Sequence, residues 1–178
     1  TPSALRAAKR SAHAQDKAFG LDAGLIRNDR GGDLDVKIRS YGDDDILRVH
    51  AARFTVHRNS IGGVKPLYRD RYLITMKVYS GTTLDDVRVD FSPDGMTFDK
   101  PAELEVHLVG KHSVTGKEIV GYHVDKNGKV TKVRTKVDVQ KGSLKLKIDV
   151  RGFSEYDWDD DGYDWEHEPD NDSQESWM

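Results

Sequence analysis

Residues 87–106, VRVDFSPDGMTFDKPAELEV, constrain the fold more than any other stretch of the chain. Before the turn, Val87, Val89 and Phe91 alternate with Arg88 and Asp90; after it, Ala102, Leu104, Val106 and Leu108 alternate with Glu103, Glu105 and His107. A period of two, with one apolar and one polar set, describes pleated strands that have one buried and one wet face. Between them, Ser92-Pro93-Asp94-Gly95 combines a fixed φ, a side chain able to cap its own turn, and a residue that tolerates φ > 0.

The same pattern recurs along the chain. Further strands are predicted at 33–39, 46–58, 72–80, 86–91, 102–109, 118–124, 129–134, 135–140 and 143–150, rich in β-branched and aromatic residues and separated by Gly, Asn, Asp and Pro. Asp125-Lys126-Asn127-Gly128 is a hairpin signal. Leu144, Leu146, Ile148 and Val150 alternate cleanly with lysines and Asp149. Short strands at roughly ten-residue spacing, with no crossover helices between them, predict an all-β chain folded as an antiparallel β-sandwich. Residues 33–156 form the predicted sandwich domain. Residues 1–32 precede it as a helical or irregular N-terminal arm: 3–18 are Ala-rich with Ser3 as N-cap, and 19–33 read as a linker because they hold four glycines and three aspartates. Residues 157–178 read as an extended acidic tail.

Charge sharpens that division. Hydrophobic residues make up 36% and charged residues 33%, so part of the length adds little to a core. The net charge of −3 conceals a basic body: residues 155–178 hold eleven acidic side chains and no Lys or Arg, leaving 28 basic against 20 acidic in residues 1–154. Such asymmetry marks an interaction tail. No run approaches the length of a membrane-spanning helix, and basic residues interrupt 5–18, so it does not read as a secretory signal. With no cysteine, disulfides, thiolate metal sites and a Cys nucleophile are excluded; the composition suits an oxidising compartment.

Several segments together resemble a known module. ARFTVHRNSI (52–61), YLITMKV (72–78), VDFSPDGMTFDKPAELEV (89–106), GYHVDKNGKV (121–130) and VDVQKGSLKLKIDVRGFSEY (137–156) are similar to the ZU-type β-sandwich of ankyrins, netrin receptors and many bacterial exported proteins. The resemblance covers about residues 46–156. It departs from the bacterial pattern at the end, where Arg151-Gly152-Phe153-Ser154-Glu155-Tyr156 carries an insertion and places Glu155 where Arg is usual. Membership would imply a structural or protein-interaction role with no catalytic residues to transfer. It would also imply a periplasmic or extracellular setting, as an accessory or scaffold subunit of a membrane-associated or cell-surface assembly; docking is expected through the N-terminal arm and the acidic Trp-containing tail.

Two readings attach to the tail. Asp157, Asp159, Asp161 and Glu168 satisfy the oxygen-ligand spacing of a calcium loop, with Gly162 at the bend, so a calcium- or ligand-binding module is the alternative function. The flanking helices of such a loop are unsupported, and an Asp-rich segment matches the pattern readily by chance. The other reading takes Trp158, Trp165 and Trp177 as partner-binding anchors among steering carboxylates, meeting either this protein's own basic body or another subunit. No cofactor is otherwise expected. GKHSVTGK (110–117) lacks the spacing and following helix of a phosphate loop, the seven histidines form no dense ligand pattern, and no nucleophile elbow is present. The chain therefore reads as non-catalytic. Nucleic acid is not an expected partner, because the basic residues lie mostly at outward strand positions and the tail opposes them in sign.

Overall fold

A computed structural model describes residues 18–38, 46–112 and 119–159, whose regular structure is strand apart from one short 3-10 turn at Leu84–Asp86. The strands are β1 (Ala18–Arg27), β2 (Gly32–Lys37), β3 (Arg48–Val56), β4 (Ile61–Gly62), β5 (Arg71–Ser80), β6 (Arg88–Ser92), β7 (Thr97–Val109), β8 (Val120–Val124), β9 (Val130–Val133), β10 (Thr135–Gln140), β11 (Ser143–Gly152) and β12 (Glu155–Asp159). They form two antiparallel sheets. The first has the order β1-β5-β6-β12-β8-β9, the second β10-β11-β7-β3-β2, with β4 added beside β7. The predicted all-β, antiparallel fold is the observed one.

Inward side chains of both sheets meet in one core. Leu144, Leu146, Ile148 and Val150 of β11, Ala102, Leu104, Val106 and Leu108 of β7, and Ile74, Met76 and Val78 of β5 are all buried. Alternation dictates this, since each such strand offers an apolar face only to the opposing sheet.

The two halves of the 87–106 stretch do not pair with each other. β6 lies in the first sheet between β5 and β12, whereas β7 lies in the second between β11 and β3. The Ser92-Pro93-Asp94-Gly95 turn, with Gly95 at φ 86°, therefore carries the chain from one sheet to the other. A second crossover, from β11 to β12 through Phe153 and Ser154, runs beside it. The Phe153 amide donates to the Met96 carbonyl (2.9 Å) and the Phe91 amide to the Ser154 carbonyl (2.8 Å). Around these crossovers Phe54, Phe91, Phe98 and Phe153 form an aromatic cluster. Phe91 and Phe153 stack with centroids 4.7 Å apart, and Phe54 approaches Phe91 to 4.5 Å.

The N-terminal boundary falls earlier than the composition suggested. Residues 18–27, assigned to the arm, form β1 and pair with β5 over its full length. Their glycines serve packing. A Cβ on Gly20 would lie 2.4 Å from Val36 Cγ1, and one on Gly24 would lie 2.9 Å from Leu34 Cδ2. Glycine in a strand interior commonly marks such a close approach. The helix predicted over 3–18 lies almost wholly outside the described residues. At the other end the sandwich extends past residue 156, because Asp157, Trp158 and Asp159 belong to β12.

Replacing Phe153 by alanine removes a ring shared by both crossovers. We expect Phe153→Ala to lower the unfolding free energy by about 3–5 kcal/mol in denaturant melts. The exposed Val139→Thr should stay within about 0.5 kcal/mol. A Phe153→Ala effect no larger than that of Val139→Thr would show that the cluster does not hold the crossovers together.

Candidate functional site: a cationic cleft between the sheet edges

The sequence-predicted site residues occupy different environments. Trp158, expected as a partner anchor, is fully buried in the core and takes no part in an exposed contact. Asp157 and Asp159, expected as the first calcium ligands, are also buried, on the face of β12 opposite Trp158. In register, Asp157 is flanked by Arg88 of β6 and Tyr122 of β8, and the Arg88 guanidinium pairs with Asp90 at 3.2 Å and Glu155 at 3.7 Å. An extended strand paired on both sides is not the coiling loop that the calcium spacing requires. Asp161, Glu168, Trp165 and Trp177 lie outside the described residues. Among the described residues, no three His, Asp or Glu side chains converge as a metal centre would need.

Sequence reasoning did not single out a concavity that opens between the two sheet edges. Val133 ends the first sheet and Thr135 begins the second, so Arg134 alone turns the corner between them. β10 pairs with β11 from Gln140 opposite Ser143 to Thr135 opposite Ile148 and goes no further. Among the described strands, residues 149–152 of β11 thus have a neighbour on the β7 side only. The gap is a cleft of about 570 Å³, within the usual range for a ligand site.

Its rim is cationic. Lys132, Arg134, Lys136, Lys147 and Arg151 line it, against the two carboxylates of Glu103 and Asp149. Lys136 and Lys147 stand directly opposite each other in the β10–β11 register. Like charges so placed are destabilising. The nearest acid across β11 is Glu105, which faces Lys147 from β7 but is held by His107 at 2.9 Å and Lys145 at 3.1 Å. Burial works against the Glu105 charge, and the bonds from His107 and Lys145 outweigh it, holding its carboxyl below the ordinary range.

The floor is apolar and aromatic. Ile148, Val133 and Tyr156 line it, and His123 lies flat on Tyr156 with ring centroids 4.6 Å apart and planes within 8°. The Tyr156 hydroxyl donates to the Gly152 carbonyl at 2.5 Å, fixing the ring against the crossover. Burial raises the Tyr156 phenol far above its ordinary pKa. Burial likewise lowers the His123 pKa, with a smaller opposing contribution from Asp125. At neutral pH His123 is thus an uncharged stacking partner. The cleft offers charge at the rim, flat apolar surface below and an open strand edge; it suits binding of an extended anionic group.

Only the run VTKVRTKV carried a sequence signal for this site, through its closely spaced cations. The gap itself arises from the corner at Arg134 and from the register at which β10 stops.

A His pKa lowered on folding means that the unfolded state binds more protons below the ordinary value of 6.5. The associated stability is present above that value and lost as pH falls through the lowered one. Between about pH 7.5 and 5, wild type should lose more stability in urea melts than His123→Phe, which keeps the stack without a titrating group. Parallel losses would remove His123 burial as the cause. Compared with protein-family models, curated proteins and solved structures, this chain matches none.

Proposed function

We propose that this protein is a non-catalytic, extracytoplasmic interaction domain, an accessory or scaffold subunit that docks through its N-terminal side into a membrane-associated or cell-surface assembly. The observation that carries this reading is the orientation of β1, which is inside out. Gly20, Asp22 and Gly24 face the second sheet, where Asp22 accepts the Asp35 amide at 2.9 Å. Phe19, Leu21 and Leu25 point away from the core and are 57%, 52% and 55% exposed.

The apolar face continues onto β5. Leu73, opposite Leu25 in register, is 46% exposed, and Tyr79 lies 5.9 Å from Phe19. β1 is also the last strand of its sheet among the described residues, so its outer backbone groups are placed to receive another strand. Soluble monomers seldom leave such a face uncovered, and charged residues are the usual guard on an edge strand. The partner that fits is a protein surface presenting an apolar strand or ridge. The setting and the subunit role follow the resemblance to ZU-type modules of exported proteins. No described helix is long and apolar enough to cross a membrane, so association with a membrane complex would run through such a partner.

The test is site-specific photocrosslinking of the full chain in its native cell envelope. Crosslinkers at positions 21 and 25 should yield one common adduct, absent from a crosslinker at Val139 and lost when Phe19→Arg is added. Adducts that are identical at all three positions, or that survive Phe19→Arg, would sink the docking role.

A further inference from the structure

We infer that the cationic cleft is the intramolecular docking site for this chain's own acidic C-terminal segment, residues 160–178. The inference is independent of the β1 face and concerns the opposite side of the sandwich.

Three features of the cleft ask for an extended, acidic, partly aromatic occupant. The first is an excess of positive charge, five cations against the carboxylates of Glu103 and Asp149. Arg134, Lys136, Lys147 and Arg151 form no ion pair with any described carboxylate. Lys136 and Lys147 are held face to face besides. Local conflicts of this kind are characteristic of functional surfaces. The second is the floor, where the half-buried His123 ring lies on the buried Tyr156 near Val133 and offers an indole a flat face. The third is the β11 edge over residues 149–152, which can receive a strand by main-chain hydrogen bonds. A compact phosphate would use the cations but neither the floor nor the edge.

Residues 160–178 supply the complement. They carry eight Asp or Glu and no Lys or Arg, with Trp165 between Asp164 and Glu166. They are also tethered at the right place. They follow Asp159 directly, and Tyr156, three residues earlier on β12, lines the cleft. Three strand residues span about 10 Å, whereas nineteen residues can reach about 60 Å, so Trp165 has slack to return. A short tether gives an effective concentration on the order of millimolar, enough for individually weak, solvent-exposed ion pairs to hold the segment in cis. The sequence left this protein's own body and another subunit as alternative targets for the tail; the cleft favours the former. A partner of the tail must then compete with the cleft, which makes that engagement regulated.

The experiment uses the full chain carrying Trp177→Phe, so that Trp165 is read against the buried Trp158. Acrylamide quenching of Trp165 should be suppressed at low salt. It should rise several-fold in about 1 M salt, where charges are screened beyond about 3 Å. Lys136→Glu with Arg151→Glu should give the same several-fold rise at low salt, with an unchanged far-UV circular dichroism spectrum and no fall in thermal midpoint. Lys77→Glu, the same kind of charge change on an exposed position of β5, should not. Free quenching of Trp165 at low salt, or protection indifferent to the cleft reversal, overturns the inference. Protection that grows with protein concentration assigns the segment to a second copy and also overturns it. So does an unprotected Trp165 with inorganic phosphate shifting the amide resonances of residues 131–136, which would give the cleft to phosphate chemistry.

Discussion

The stack of Phe91 on Phe153 joins two places where the chain leaves one sheet for the other. Every strand from β6 onward is positioned relative to those crossings. Between them β6, β7, β11 and β12 supply the central strands of both sheets, and the chain passes from β6 to β7 and from β11 to β12 at the same end. These crossings lie next to each other, so whatever holds one against the other holds the central strands of the two sheets together. The paired amide bonds to Met96 and Ser154, with the rings of Phe54 and Phe98 packed around, provide that hold. Aromatic pairs add roughly 0.5–1.5 kcal/mol each beyond area burial, so the cluster is costly to open.

The same crossings fix the cleft. Tyr156 follows directly on the Phe153 crossover, and its hydroxyl bond to Gly152 ties the cleft floor to the aromatic cluster. His123 is held by that ring in turn. The cleft floor is therefore anchored to the packed crossovers, and a surface held in this way lowers the ordering cost of an occupant.

Much of this fold was legible in sequence because alternation is a local property. Apolar spacing alone places the strands containing Ile74 and Leu146 within a residue or two and marks the end of the strand containing Leu104, although that strand starts earlier, at Thr97, where Asp99-Lys100-Pro101 breaks the apolar alternation; Asn127-Gly128 marks its hairpin correctly. Pairing is not local. A period of two in VRVDF and AELEV is the same whether the strands are neighbours in one sheet or face each other across a core, so the inter-sheet path through Ser92-Pro93-Asp94-Gly95 could not be read. Gly20 and Gly24 misled for a related reason: a glycine demanded by a neighbouring sheet looks in sequence like one demanded by a flexible linker. Trp158 falls on the wrong side of a predicted boundary because its neighbours are aspartates, whose composition reads as an acidic tail and hides the alternation of a strand. The cleft was least legible of all, since it is an absence of pairing beyond Thr135.

The two lateral sides of the sandwich differ in chemistry because the chain turns them differently. On one side β1 passes to β2 through a tight turn from Arg27 to Gly31, where the Gly31 amide donates to the Arg27 carbonyl at 2.8 Å. That turn draws the two edges so close that only glycine fits on the inner face of β1 at residues 20 and 24, and the apolar residues of the strand are left on the outside. On the other side Arg134 alone spans from sheet to sheet, and β10 cannot follow β11 to its end; the edges part and lysines and arginines from both sheets gather at the opening. An apolar face and a cationic cleft thus arise from one architectural problem, closing a sandwich at its sides, solved once by bringing the edges together and once by holding them apart. The chemistry that each side offers a partner is set by the connection, and the sheets between them serve to keep the two surfaces apart.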